Sequence, residues 1–299
     1  MLKRLCYEEQ GYSLVTAALL LMTLVMLLAL VVDIGYAYVQ RWQMQNAADA
    51  GALAGTRALF LGQDAQQAAA DYAQRNGAEN VTVTVEPGEK TVRVEAKTDF
   101  PTFVASILGI DTLTADNPAK AVHGGVAEMT EGVYPIAVDW QEFVFGNQYD
   151  IYAGGGPGNF GWLGWDGCTN IPCLCESLTP PGNSENYINP HNPSDHIMNI
   201  GDWVQGSTGV KNASCVRAHL DWFISTETPM TIIVWDAVEG AGAGFNYHIV
   251  GFAQFVLVSY RLPSENRITG RFIQGMIPTT KITLDPNADF GVHGMKLTE

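Results

Sequence analysis

The stretch His191-Asn-Pro-Ser-Asp195-His196 sets two imidazoles and a carboxylate within six residues. These are donors that a divalent metal ion accepts. Pro190 and Pro193 exclude the helical spacing of an HExxH zinc protease, and no glutamate lies between the histidines. The stretch therefore reads as a polar surface loop. Ser207, with His219 and Asp221 downstream, has the residue types of a hydrolase triad but lacks the G-x-S-x-G elbow. Gly154-Gly-Gly-Pro-Gly158 lacks the Gly-Lys-Ser/Thr ending of a phosphate loop and reads as a plain loop. In Asn159-Phe-Gly-Trp-Leu-Gly-Trp-Asp-Gly167, Trp162 and Trp165 stand three apart beside Asp166. One reading is a carbohydrate platform, because sugar C–H faces stack on aromatic rings. The other is a pair of core anchors around the adjacent Cys168. None of these patterns meets the requirements of a catalytic, cofactor or metal centre, so none is expected and no cofactor is expected.

Cysteine chemistry points to a compartment. Cys168, Cys173, Cys175 and Cys215 are an even set far from Cys6. A bond between Cys173 and Cys175 would close a very tight ring. That leaves Cys215 bonded to one member of the cluster and Cys168 to the other. Structural zinc is disfavoured, because C-x4-C-x-C with a distant fourth cysteine lacks paired C-x2-C knuckles.

An oxidising location requires an element that carries these residues out of the cytoplasm. Tyr12–Val32 contains no charge, and its clearly polar side chains are Ser13, Thr16 and Thr23. As a helix it would span about 31 Å, close to the roughly 30 Å hydrocarbon core of a bilayer. The apolar core of a cleaved signal peptide is shorter and ends at a small-x-small site. Here Asp33-Ile-Gly-Tyr follows instead, which favours a retained anchor. No proline interrupts the chain as far as Leu61, so a single helix is predicted from Tyr12 to about Phe60. Lys3 and Arg4 precede the span, while the next basic residue after it is Arg41. The N-terminus is thus expected inside and the bulk outside, with Tyr36, Tyr38 and Trp42 as an interfacial belt. The formal charge of −15 lies wholly beyond the span, since residues 1–11 sum to zero. Such an acidic ectodomain is a poor partner for nucleic acid and is not expected to lie flat on anionic lipid.

The string Asp33-Ile-Gly35-Tyr, followed by Gln45-Asn46-Ala47-Ala48-Asp49-Ala50-Gly-Ala-Leu-Ala-Gly55 directly after an apolar span, resembles the TadE/TadG-like proteins of the tight-adherence (Flp-type) pilus assembly system. The resemblance covers about the first sixty residues. It implies a bacterial cell membrane, a single pass, a non-enzymatic role in pilus assembly and adhesion, and other pilus assembly or pilin-like proteins as partners. Processed pilins carry a glutamate at the fifth position beyond the cleaved glycine. Counted from Gly11, that position is Thr16. An uncleaved anchor is therefore expected, assisting assembly and not filling the filament. The alternative from another class is a membrane-anchored extracytoplasmic sugar-binding module or hydrolase.

The small residues of the helix fall on faces, Ala47, Gly51 and Gly55 on one and Ala50, Ala54 and Ala58 on another. Small residues four apart permit close backbone approach. They could receive a partner helix, or the chain's own globular part, or both on different faces. Beyond Gly62, Asp64 caps a second predicted helix over Ala65–Asn76, with Gly77 past its end. Val81–Val85 alternates as a strand does, and Thr91–Ala96 returns as its hairpin partner. Glu86-Pro-Gly-Glu89 makes the turn, with Gly88 taking the positive φ. A short helix over Phe103–Leu108 and a strand over Ala119–His123 follow. From Glu128 helical periodicity disappears and glycine and aromatics dominate. Thr231–Trp235 and His248–Tyr260 read as strands, the latter apolar on both faces and central, with Arg271–Ile277 as its neighbour. The expected class is α+β. It comprises a cytoplasmic tail (1–11), a transmembrane helix continuing as a pilin-like helix (12–61), a small α/β subdomain (62–127) and a β-rich, disulfide-containing sandwich or irregular barrel (128–299).

Overall fold

The computed structural model describes residues 5–141, 143–152, 159–209, 211–263, 265, 267–277, 279 and 281–298. The Gly154–Gly158 loop expected from the sequence lies outside them. The chain forms two compact units, residues 1–122 with 297–299, and residues 123–296.

The first unit is built on α1 (Leu5–Phe60), an uninterrupted helix of 56 residues. Tyr12–Val32 is solvent-exposed almost throughout, as an apolar helix meant for lipid would be. In this stretch Thr16 and Thr23 donate their hydroxyl protons to Tyr12 and Leu19 carbonyls at 2.9 and 2.8 Å, so neither presents an unmet polar group. The second half of α1 packs on α2 (Ala65–Arg75) and on a hairpin. Asp64 caps α2 by accepting the Gln67 N–H at 2.9 Å. The hairpin strands are β1 (Asn80–Glu86) and β2 (Thr91–Pro101), and β2 also pairs β3 (Thr112–Val126), which continues past Val122 into the second unit. The connection Pro87–Glu89 is a 3-10 turn in which Lys90, not Gly88, takes the left-handed conformation at φ 55°. A 3-10 turn places its strained residue after the turn, where the sequence offers a lysine. The core between these elements is dominated by alanine. Ala47, Ala48 and Ala52 of α1 meet Ala69 and Ala73 of α2 and Val92, Val94 and Ala96 of β2.

The second unit contains β4 (Glu128–Met129), β5 (Val133–Asp139), β6 (Gln148–Tyr152), β7 (Asn159–Gly164), β8 (Met198–Asn199), β9 (Trp203–Thr208), β10 (Met230–Glu239), β11 (Asn246–Arg261), β12 (Arg267–Ile273), β13 (Gly275–Met276), β14 (Ile282–Thr283) and β15 (Val292–Leu297). Its main sheet runs β10-β5-β7-β9-β11-β12-β6, and β10 pairs β11 as well. The circuit β10-β5-β7-β9-β11 therefore closes on itself as a small irregular barrel, with β12 and β6 extending one edge. The long strand β11 is the hub because it is apolar on both faces. One face, with Ala253, Phe255 and Leu257, joins a core that also holds Phe272 and Ile232. The other, with Ile249 and Phe252, joins a core with Ile233, Trp235 and Tyr247.

Two helices correct the reading that helical periodicity ends at Glu128. They are α3 (Ile171–Ser177) and α4 (Ser214–Thr226). In α4, Val216, Leu220 and Phe223 are buried at i, i+4 and i+7, so a helical stripe was present in the sequence. Disulfides bond Cys168 to Cys173 and Cys175 to Cys215, the second tying α3 to α4.

Candidate functional site

The site with the most specific geometry is the point where α1 leaves its apolar stretch. Asp33 directly follows Val32, yet its side chain is buried. Its Oδ1 accepts the Phe103 N–H at 2.8 Å, and its Oδ2 accepts those of Val104 and Ala105, each at 2.9 Å. A carboxylate taken out of water needs such donors. The donors are free because they open a single 3-10 turn, Ala105–Leu108, whose first N–H groups have no partner within the turn. Tyr36, one turn further along α1, packs edge-on against Phe100 and Phe103, with ring centroids at 5.4 and 5.8 Å. The Asp33-Ile-Gly-Tyr string thus clamps a loop of the globular unit to the helix at one level. Gly35 itself is exposed, and a Cβ there would meet nothing within 4 Å.

The Gln45–Ala50 string does different work. Ala47 and Ala48 are fully buried, and Gln45 donates to Asp49 Oδ1 at 2.8 Å along the helix. Asn46 is exposed, and Ala50 is half-buried. Further on, a Cβ at Gly51 would stand 2.8 Å from the Ala69 carbonyl oxygen. One at Gly55 would stand 2.8 Å from Ala69 Cβ and 2.9 Å from Val92 Cγ1. The face carrying Ala47, Gly51 and Gly55 is therefore filled by the chain's own α2 and β2. Of the two readings of that face, internal packing is the one the structure realises.

The residues singled out for ligand chemistry do not converge. Trp162 and Trp165 are 1 % and 2 % exposed and lie in opposite cores. Trp162 is in a strand and Trp165 just past its end, and side chains alternate between faces in such a run. A spacing of three thus sends the rings apart and leaves no shared platform. Asp166 is exposed and accepts the Cys168 N–H at 3.1 Å. His191 Nε2 meets Glu239 Oε1, whereas His196 Nδ1 faces the Tyr187 carbonyl at 3.0 Å, and Asp195 accepts the Ile197 N–H. Glu239 is held below the usual carboxylate range, chiefly by the hydrogen bond from Asn246 and also by His191. Among the described residues, no group of histidine, cysteine and acidic side chains has the arrangement of a metal site. Ser207 donates to the Thr169 carbonyl at 2.8 Å, Asp221 accepts from Tyr260, and His219 lies beside Thr179. These three do not form a triad.

Sequence reasoning missed three arrangements. Lys211, 6 % exposed, donates to the same Thr169 carbonyl as Ser207, and burial pushes its pKa down. Together they brace the loop next to the Cys168–Cys173 bond. His123 and His293 are buried with their Nδ1 atoms 2.8 Å apart, and His293 Nε2 reaches Asp289 at 2.7 Å. An exposed cleft of about 360 Å³ is lined by Trp140, Phe143, Phe145, Asn287 and Asp289 among others. No spacing announces them, because each is completed by residues from distant parts of the chain. The spacing of Ser207 and Lys211 is the nearest to a local signal.

No curated protein and no solved structure matches the chain. The family model Tad, described as "Putative Flp pilus-assembly TadE/G-like", matches residues 11–75, so the chain is similar to that family from the start of the apolar stretch to the last residue of α2.

Proposed function

We propose that the protein is a single-pass membrane component that assists assembly of a tight-adherence (Flp-type) pilus without catalysing a reaction. Its N-terminus is cytoplasmic and both globular units are extracytoplasmic. The observation that carries this reading is where the family match falls, over the apolar stretch, the Asp33 clamp and α2. The small-residue face carrying Ala47, Gly51 and Gly55 is used up internally. Contact with other pilus assembly or pilin-like chains is therefore assigned to the exposed face of the span itself, ending at Gly35. Glycine in a helix interior costs about 1 kcal/mol relative to alanine. No internal contact at Gly35 offsets that cost, so an external one is the natural reason for it.

The test replaces Tyr12–Val32 with an unrelated polyleucine span of equal length in the native host. Membrane association should persist, while co-purification of pilin and secretion-motor chains, identified by mass spectrometry, should be lost. Unchanged co-purification would overturn the assignment to the span. Gly35→Leu is the finer version, expected to weaken partner recovery while leaving the fold intact.

A further inference from the structure

We propose that the loop Pro101–Ile110 is a membrane-seating element that dips its side chains into the outer-leaflet interface around the exit of α1. This rests on the reading of Tyr12–Val32 as a membrane span. The loop reads Pro-Thr-Phe-Val-Ala-Ser-Ile-Leu-Gly-Ile, ten residues without a charge. Phe103, Ile107 and Ile110 are 60, 81 and 48 % exposed, an unusual concentration of large apolar side chains facing outward. Isolated exposed apolar residues are ordinary, but a contiguous set marks an interaction surface.

The depth of this surface is fixed. Asp33 is the first residue after the uncharged span, and its carboxylate holds the backbone of Phe103, Val104 and Ala105 at 2.8–2.9 Å. The loop therefore sits within about one helical turn, 5.4 Å, of the point where α1 emerges. On the helix itself, Ile34 is exposed at the same level, and Tyr38 and Val39 are exposed about 8–9 Å beyond Asp33 along the axis. The aromatic side chains are of the type that occupies the headgroup region.

The loop also goes most of the way, on its donor side, to meeting the condition that lipid sets for backbone. A polar group that finds no partner there costs several kcal/mol. Here the N–H groups of residues 103, 104 and 105 go to Asp33. Those of Ile107, Gly109 and Ile110 go to carbonyls of Val104, Ser106 and Ala105 at 3.0, 3.0 and 3.1 Å. The Ser106 and Thr102 hydroxyls donate to carbonyls within the loop. An apolar loop with most of its N–H groups and both hydroxyls internally paired, tied to the mouth of a lipid-spanning helix, fits a lipid surface as its partner. The attraction is apolar, so the chain's net negative charge does not oppose it on zwitterionic lipid.

The experiment uses the full chain in phosphatidylcholine vesicles, with Cys6→Ser to leave no free thiol beyond the disulfides. Single cysteines are introduced as Ile107→Cys, Leu21→Cys and Leu61→Cys and labelled with an environment-sensitive nitrobenzoxadiazole probe. Leu61 lies 28 residues beyond Asp33, about 42 Å along α1, and serves as the aqueous reference. The probe at 107 should show blue-shifted emission, quenching by lipids carrying a nitroxide near the headgroup, and resistance to aqueous iodide. The probe at 21 should be quenched by a deep nitroxide, and the probe at 61 by iodide alone. Raising the salt concentration should leave the signal at 107 unchanged. If 21 reports lipid while 107 behaves like 61, the seating element is overturned and the anchor stands. If 107 is shielded from both quenchers, a protein surface covers it, and the proposal again fails. If 21 is open to iodide, the span reading itself falls and takes this one with it.

Discussion

The two units fill their interiors with different material. The first is closed mainly by alanines and glycines, with Val92, Val94, Met44 and Phe100 as its larger buried members, and backbones come so near that a single added methyl at Gly51 or Gly55 meets a neighbour at 2.8 Å. The second is closed by large side chains. Phe255, Phe272, Phe143 and Tyr149 stack or meet edge-on, with Phe143 and Phe272 centroids 3.8 Å apart. Two disulfides reinforce it. A small-residue interface gains from close van der Waals contact over a long helix and tolerates no added volume. An aromatic core gains from apolar area and suffers most when volume is removed. The units should therefore be sensitive to opposite kinds of substitution.

The largest effect is expected from Phe272→Ala, which empties a fully buried aromatic site and should cost about 3–5 kcal/mol. Hydrogen exchange of the β11 and β12 amides in the full chain would register it as lost protection. Little change there would mean that the aromatic cluster is not what holds the second unit. Next comes replacement of Cys175 and Cys215 by serine. Their separation of 40 residues gives a loop-closure contribution of about 4 kcal/mol on the chain-entropy model. Denaturant titration with and without reductant would measure it, and equal curves for the native chain would refute it.

The contrast within α1 is sharper and smaller. Gly55→Ala should destabilise the first unit by up to about 2 kcal/mol, because overpacking outweighs the gain in helix propensity. Gly35→Ala, in the same helix, should be neutral or stabilising by at most ~1 kcal/mol, since its Cβ meets nothing. Thermal denaturation of both variants decides this, and equal responses would erase the distinction between a packed and an outward-facing glycine. A modest local effect is expected from Asp64→Ala, which removes the cap of α2 and should cost about 1 kcal/mol. It should be visible in exchange of the first-turn amides of α2 and absent from the second unit.

What the sequence by itself determined is concentrated in the first unit. The apolar run, the absence of proline to Leu61, the cap at Asp64 and the alternation of Val81–Val85 are local patterns, and each appears as α1, α2 and β1. In the second unit the two-faced strand β11 was legible because its residues are apolar on both sides over many positions. The pairing of the cysteines was narrowed but not fixed, since only the fold brings Cys175 to α4.

Tertiary structure alone decided the rest. Whether the small face of α1 meets a partner or its own α2 depends on what lies opposite, and alanine spacing is the same in either case. Trp162 and Trp165 look adjacent in sequence, yet strand geometry sends them to separate cores. His123 and His293 are 170 residues apart, and no local pattern can bring them to 2.8 Å. The same holds for Asp33. A lone carboxylate after an apolar run announces the end of a span, but its three backbone donors lie 70 to 72 residues further on. A hydrogen bond to backbone leaves no side-chain signature at the other end, so the clamp becomes visible only in the folded chain.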